Sequence, residues 1–133
     1  MKQTMKIAAV VVMALVLMTS VYAKENKRVE MAKRGYAEAL QKDVAGLRNS
    51  ALLQIIKLKS TYTDCNISEL CRLVKKMGQN DPRFILRTNA QMTTTILENP
   101  HLMNLVNPYN FVDPNAYFDT FYMKLAESQV AMQ

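Results

Sequence analysis

The sequence predicts an all-α fold, a small helical bundle or an open helical array of four to six helices after an N-terminal signal peptide. Apolar residues recur at the helical period over much of the chain. Each of the four prolines follows Asp or Asn, a combination that is typical of helix starts. No pair of strand-like segments joined by a hairpin turn appears. The 133 residues suffice for one small domain after removal of a leader.

Residues 1–23 have the pattern of a signal peptide. A cationic start with Lys2 and Lys6 precedes an apolar run, and a short polar stretch ends with the small residue Ala23. We therefore expect cleavage after Ala23 and a periplasmic or secreted protein, with an uncleaved signal anchor as the alternative. The mature chain, residues 24–133, is then a single helical domain.

Residues 24–60 are expected to form a cationic amphipathic helix or a pair of helices. Their apolar side chains recur at steps of three and four residues, which is the spacing of one helix face. Gly46 and Asn49-Ser50 mark the expected break. The apolar face widens after this break, so the second half should be more deeply buried than the first.

Residues 61–133 are expected to form short helices that begin at Asx-Pro pairs, with an aromatic C-terminal part. Asn66 is suited to cap the first of these helices, and Gly78 is expected to end it. Three threonines, residues 93–95, are weak helix formers, so a short strand is the alternative there. The remaining helices are predicted over residues 82–98, 100–106 and 114–131.

Cys65 and Cys71 are the only two cysteines of the chain. Export to an oxidising compartment predicts a disulfide between them, and two free buried thiols are the alternative. The short loop that the bond closes limits its entropic gain to about 2 kcal/mol. A zinc site is not expected, because the spacing of five residues between the cysteines is unusual for zinc ligands and the single histidine, His101, is distant in sequence.

Charge divides the mature chain into a basic front and an acidic back. Residues 24–87 contain 14 basic and 7 acidic side chains, whereas residues 88–133 contain 1 basic and 4 acidic ones. The front predicts either an ordinary solvated helix or contact with an anionic surface. Nucleic acid is not an expected partner, because the aromatic residues are separated from the basic ones. The candidate contacts to an anionic surface are Lys24, Lys27, Arg28, Lys33 and Arg34.

Six of the ten aromatic residues fall between positions 109 and 122. They indicate either a surface that binds a protein partner or the main volume of a core that lacks tryptophan. The six candidates are Tyr109, Phe111, Tyr117, Phe118, Phe121 and Tyr122.

Catalytic chemistry is not indicated by any motif. With a single histidine and scattered acids, neither a nucleophile with its base nor a carboxylate pair is evident. His101 and Met103 offer soft-metal donors but are two residues apart in a helix, so they point in different directions, and no metal or cofactor is expected. The sequence therefore predicts a small, exported, non-enzymatic protein that binds another protein. A peripheral protein on anionic lipid and a carrier of a small apolar ligand are the alternatives.

Overall fold

The computed structural model of the protein describes residues 23–131. Apart from Ala23, the predicted signal peptide lies outside these residues. Contacts divide the chain into two units, Met1–Ala32 and Lys33–Gln133. Every regular element in the described residues is helical and none is a strand, which confirms the all-α prediction. Among the described helices, none combines the length and the apolar character that crossing a bilayer requires.

The described chain forms a series of α-helices with two short 3-10 helices before the last one. The first helix, α1, is described over residues 23–41. It is followed by α2 (Ala45–Thr61), α3 (Ser68–Asn80), α4 (Phe84–Glu98), the 3-10 helices Pro100–Asn104 and Pro108–Asn110, and α5 (Pro114–Ala131).

The first two helices are separated a few residues earlier than the sequence predicts. The described part of α1 ends at residue 41, and α2 begins after Val44, whose backbone is extended with φ −130° and ψ 111°. Gly46 lies in the first turn of α2, and Asn49 is a buried residue of that helix. The chain thus forms two helices here, one of the two alternatives that the sequence left open, but the break lies at residues 42–44 and not at Gly46 and Asn49-Ser50.

All four Asx-Pro pairs lie at the start of a helical segment, including Asn107-Pro108, for which no helix was predicted. At the start of α5, Asp113 Oδ1 accepts a hydrogen bond from the Asn115 N–H at 3.0 Å. Asn107 Oδ1 accepts one from the Tyr109 N–H at 3.0 Å before the second 3-10 helix. These bonds satisfy amide groups that have no partner within the helix itself.

Helix α4 begins two residues later than the predicted start at Pro82. Asp81 Oδ1 accepts a hydrogen bond from the Arg83 N–H at 2.9 Å, and this turn occupies the positions before the helix. The threonines at 93–95 are helical rather than extended. The hydroxyl of Thr93 donates to the carbonyl oxygen four residues earlier at 2.8 Å, so the helix satisfies this buried polar group.

Gly78 does not end α3, contrary to the prediction, but permits close contact between α3 and α4. A Cβ atom at Gly78 would lie 3.2 Å from Cγ of Gln91. The Gln91 Nε2 donates to the Gly78 carbonyl oxygen at 2.8 Å, and Lys75 Nζ lies 2.7 Å from Glu98 Oε1. Because earlier residues of α3 meet later residues of α4, the two helices run antiparallel.

The hydrophobic core lies around α2. This helix is apolar around most of its circumference, a pattern typical of a helix surrounded by other elements. Most of α1 is exposed, so the prediction that the second half of residues 24–60 is more deeply buried is confirmed. The largest fully buried side chains of α2 are Leu52, Leu53, Ile55 and Ile56.

A cluster of three asparagines joins α2, α4 and α5. Asn49 Nδ2 donates to Asn115 Oδ1 at 2.9 Å, and Asn89 Nδ2 donates to Asn49 Oδ1 at 2.9 Å. Asn89 Nδ2 also reaches Asn115 Oδ1 at 3.2 Å. Asn49 and Asn89 are buried, so these bonds fix the register of the three helices.

A buried carboxylate, Asp81, ties the start of α2 to the start of α4. Its side chain is fully buried and lies 2.6 Å from Arg48 Nη1 and 3.3 Å from Arg83 Nε. Burial raises the pKa of this carboxyl, but the hydrogen bonds and charge of Arg83, with the charge of Arg48, outweigh it and hold the pKa below its ordinary value. Asp81 therefore stays ionised as a structural anchor.

Candidate functional site

The inner face of α5 belongs to the core. Tyr117, Phe118 and Phe121 are each 0% exposed. The Tyr117 ring lies edge-on to the Phe118 ring, with centroids 5.2 Å apart, and stacks on the Phe121 ring at 6.2 Å. These three side chains belong to the core, the second of the two predicted alternatives, and are not available to a partner in the folded protein.

Two more of the predicted aromatic residues fasten the loop before α5 onto the rest of the fold. The Phe111 ring is half-buried and lies edge-on to the Tyr117 ring at 5.7 Å. The hydroxyl of Tyr109 hydrogen-bonds with Thr61 and donates to the Lys57 carbonyl oxygen at 2.9 Å. The Lys57 ammonium lies 5.9 Å from the centre of the Tyr109 ring. These contacts give both side chains a structural role, and Tyr109 remains 56% exposed.

The outer face of α5 is apolar and exposed. Tyr122, Met123 and Val130 are 65%, 61% and 70% exposed. The spacing of residues 122, 126 and 130 places Tyr122, Ala126 and Val130 along one side of the helix, with Met123 beside them. Asp119 lies at one end of this strip. We call the four apolar residues of this strip, Tyr122, Met123, Ala126 and Val130, the outer face.

Of the outer face, only Tyr122 is among the residues predicted from the sequence. Met123, Ala126 and Val130 are not aromatic and were not predicted. The signal that would have found them is the four-residue spacing from 122 to 130, next to the core positions 117, 118 and 121. Apolar residues thus occupy both faces of α5, and in the described part of the chain the core buries only one of them.

The candidate contacts to an anionic surface all lie on α1. In the first unit the three basic candidates are exposed, and Met31 is exposed within one helical turn of Arg28. In the second unit Arg34 is exposed and Lys33 is half-buried. The three basic side chains of the first unit are Lys24, Lys27 and Arg28.

The predicted disulfide is absent from the structure, in which Cys65 and Cys71 are both free and half-buried. The backbone supports each cysteine separately. The Cys65 N–H donates to the Tyr62 carbonyl oxygen at 3.0 Å in a turn, whereas the Cys71 N–H donates to the Ile67 carbonyl oxygen at 2.8 Å in the first turn of α3. The turn and the helix start are thus held by backbone bonds and do not depend on a covalent link.

Both cysteines line one cavity of about 590 Å³ that opens to solvent. Burial raises the pKa of the Cys71 thiol, and the charges of Lys59 and Lys75 offset only part of this effect. The cationic character of the cavity does not favour a small apolar ligand. Its lining includes Lys59, Cys65, Asn66, Ile67, Cys71, Arg72, Lys75 and Leu97.

A second cavity, of about 380 Å³, is lined by Arg48, Arg72 and Lys76 together with the buried Asp81. The charge of Arg48 is compensated by Asp81 and that of Arg72 by Glu69, whose Oε1 lies 2.6 Å from Arg72 Nη2. Among the described residues, Lys76 is the cation of this lining that has no carboxylate partner. Because Asp81 and Arg48 form the ion pair that anchors α2 to α4, we interpret this cavity as part of that anchor.

Metal-ligating side chains do not gather in groups of three or more His, Cys, Asp or Glu within residues 23–131. His101 is exposed on the first 3-10 helix, and Met103 beside it is half-buried. Comparison with known proteins finds no match to this chain among family models, curated proteins or solved structures. Any functional assignment therefore rests on the geometry described above.

Proposed function

We propose that this chain is a small, exported, non-enzymatic binding protein that acts in the cell envelope or outside the cell by contacting another protein through the outer face of α5. The supporting observation is the exposure of Tyr122, Met123 and Val130 on a helix whose opposite face is packed in the core. A carboxylate, Asp119, flanks this apolar strip.

The composition of the outer face suits protein recognition. Tyrosine and methionine are enriched at protein interfaces, because they bury a large apolar area and Tyr keeps a polar group for the rim. Ala126 between them leaves room for a partner's side chain to approach the helix. A rigid helix that presents apolar residues at this spacing is a common element in helix-mediated recognition.

The experiment that tests this proposal is site-specific photo-crosslinking in the source cells. A photoreactive phenylalanine analogue replaces Ala126 at the centre of the outer face, and the matched control carries it at Gln79, an exposed position on α3. We expect a discrete crosslinked species from position 126 and none from position 79. Equal crosslinking from both positions, or none from 126, would contradict the proposal.

A second candidate function is binding to an anionic membrane surface through α1. It is favoured by the exposure of Lys24, Lys27 and Arg28 with the apolar Met31 nearby. Basic side chains that flank an exposed apolar residue are typical of helices that lie on anionic lipid.

Co-sedimentation with vesicles separates the two candidates. Membrane binding predicts sedimentation with anionic vesicles, loss at raised salt, and loss in Lys27→Glu/Arg28→Glu. The matched control is Lys76→Glu, a charge reversal on α3. Sedimentation that the double substitution leaves unchanged, or equal sedimentation with neutral vesicles, would eliminate an electrostatic membrane role.

A further inference from the structure

The cavity at the start of α3 is lined by both cysteines of the chain. Cys65 lies in the loop after α2, and Cys71 lies in the first turn of α3. Both are free, and both line the same solvent-open space of about 590 Å³. This space is separate from the outer face of α5.

The number of donors decides which ion such a pair suits. Because the described residues hold no group of three or more His, Cys, Asp or Glu, a four-ligand zinc site is not available here. Calcium and magnesium need several oxygen ligands. Two thiolates alone suit a soft monovalent ion, and Cu(I) accepts two sulfur ligands in a linear arrangement.

The charge of the cavity complements such a complex. Two thiolates and one Cu(I) carry a net charge of −1. Of the cationic side chains in the lining, Arg72 is paired with Glu69 at 2.6 Å and Lys75 with Glu98 at 2.7 Å.

Lys59 is the lining cation without a carboxylate partner in the described part of the chain. Its ammonium donates to the carbonyl oxygens of Thr63 at 2.6 Å and Cys65 at 3.0 Å. These neutral acceptors leave the positive charge of Lys59 uncompensated beside Cys65.

We propose that Cys65 and Cys71 form a two-thiolate site for Cu(I), with Lys59 as the positioning residue that holds the Cys65 loop and compensates the charge of the complex. Each thiol loses one proton when its sulfur binds the metal, and the copper stays in the Cu(I) state. The site is half-buried and reachable from solvent through the cavity.

Competition for Cu(I) tests the site directly. The reduced full-length chain is titrated without oxygen against a chromogenic Cu(I) chelator, and we expect uptake of one ion per chain. Cys65→Ser and Cys71→Ser should each lower the Cu(I) affinity at least about 100-fold. Loss of a residue that only supports a metal ligand already lowers affinity by up to about 100-fold, and here a ligand itself is removed. The matched control, His101→Ala/Met103→Leu, removes the other soft donors and should bind normally. No uptake by the unaltered chain, or unchanged uptake by Cys65→Ser/Cys71→Ser, would overturn the proposal.

Two further measurements keep the test independent of how the cysteine variants fold. X-ray absorption of the copper-loaded chain should show two sulfur ligands, and nitrogen or oxygen ligands would contradict the site. Lys59→Met should lower the Cu(I) affinity about tenfold, whereas Lys76→Met, a neighbouring cation outside the cavity lining, should not. Equal effects of the two lysine substitutions would remove Lys59 from the proposal.

Discussion

The two faces of α5 have similar composition but opposite environments. The inner face places Tyr117, Phe118 and Phe121 in the core at 0% exposure, whereas the outer face leaves Tyr122 and Met123 more than half exposed. An ordinary surface helix has one apolar face and one polar face. Within the described residues the outer face of α5 is left uncovered, and this is the observation on which the proposed binding role rests.

Among single substitutions, Phe118→Ala should have the largest effect on the free energy of unfolding. Removal of a fully buried ring should lower the free energy of unfolding by about 3–5 kcal/mol, because it takes away apolar burial and leaves a cavity. Chemical denaturation followed by circular dichroism measures this change. A loss below about 1 kcal/mol would show that the inner face does not carry the core.

The next largest effect is expected from Asp81→Asn. This substitution removes the charge of the buried carboxylate, so its effect can be compared with the loss of the buried Phe118 ring. It should lower the free energy of unfolding by about 3 kcal/mol near neutral pH, because it leaves Arg48 and Arg83 without their buried partner. Denaturation at several pH values measures the effect, with the exposed Asp64→Asn as control.

The pH dependence of Asp81→Asn follows from the lowered pKa of Asp81. A carboxyl whose pKa is lower in the folded state than its ordinary 3.8 stabilises the fold above that pH and loses this contribution as the pH falls through the folded value. The difference between wild type and Asp81→Asn should therefore be full above about pH 5 and shrink progressively below it. A difference that grows on acidification would contradict the assigned charge.

A smaller effect is expected from Tyr117→Phe, which sharpens the description of the inner face. The Tyr117 hydroxyl is buried without a hydrogen-bond partner, and burial raises its pKa to about 12. Its removal should raise the free energy of unfolding by about 1 kcal/mol, because no desolvated polar group is then left unpaired. A marked loss of stability in thermal unfolding would show that the hydroxyl has a partner.

The smallest effect on stability is expected on the outer face. Tyr122→Ser/Met123→Ser should change the free energy of unfolding by less than about 0.5 kcal/mol, since both side chains are exposed. Thermal unfolding of this variant beside Phe118→Ala measures the contrast between the two faces. Destabilisation of similar size in both variants would end the distinction between core and binding face.

Local signals in the sequence predict much of the helical order. The Asp113-Pro114 pair sets the start of α5, and the predicted span 114–131 agrees with the structure. Asx side chains and prolines act within a few residues of their own position, so the sequence alone is sufficient there. The all-α class follows from the same local signals.

Long-range contacts explain where the sequence predictions fail. Asn49 was expected to break a helix, but hydrogen bonds to Asn89 and Asn115 keep it inside α2. Gly78 was expected to end α3, but it faces Gln91 at a helix crossing. Partners that are 13 to 66 residues away cannot be read from local patterns.

The candidate site was only partly predictable for the same reason. Helical spacing shows that apolar residues lie on both faces of α5, but not which face the core covers. Packing against α2 decides that Phe118 and Phe121 are inside and Tyr122 outside. The cysteine pair was recognised in the sequence, whereas the cationic cavity around it depends on α2, α3 and α4 together.

The most direct test of the binding role measures crosslinking from position 126 with and without its apolar neighbours. The photoreactive analogue at Ala126 is combined with Tyr122→Ser/Val130→Ser, which leaves the inner face intact. The account predicts that the discrete crosslinked species disappears while the melting temperature stays within a few degrees. Retention of the same species at the same yield would contradict the claim that the outer face of α5 binds a protein partner.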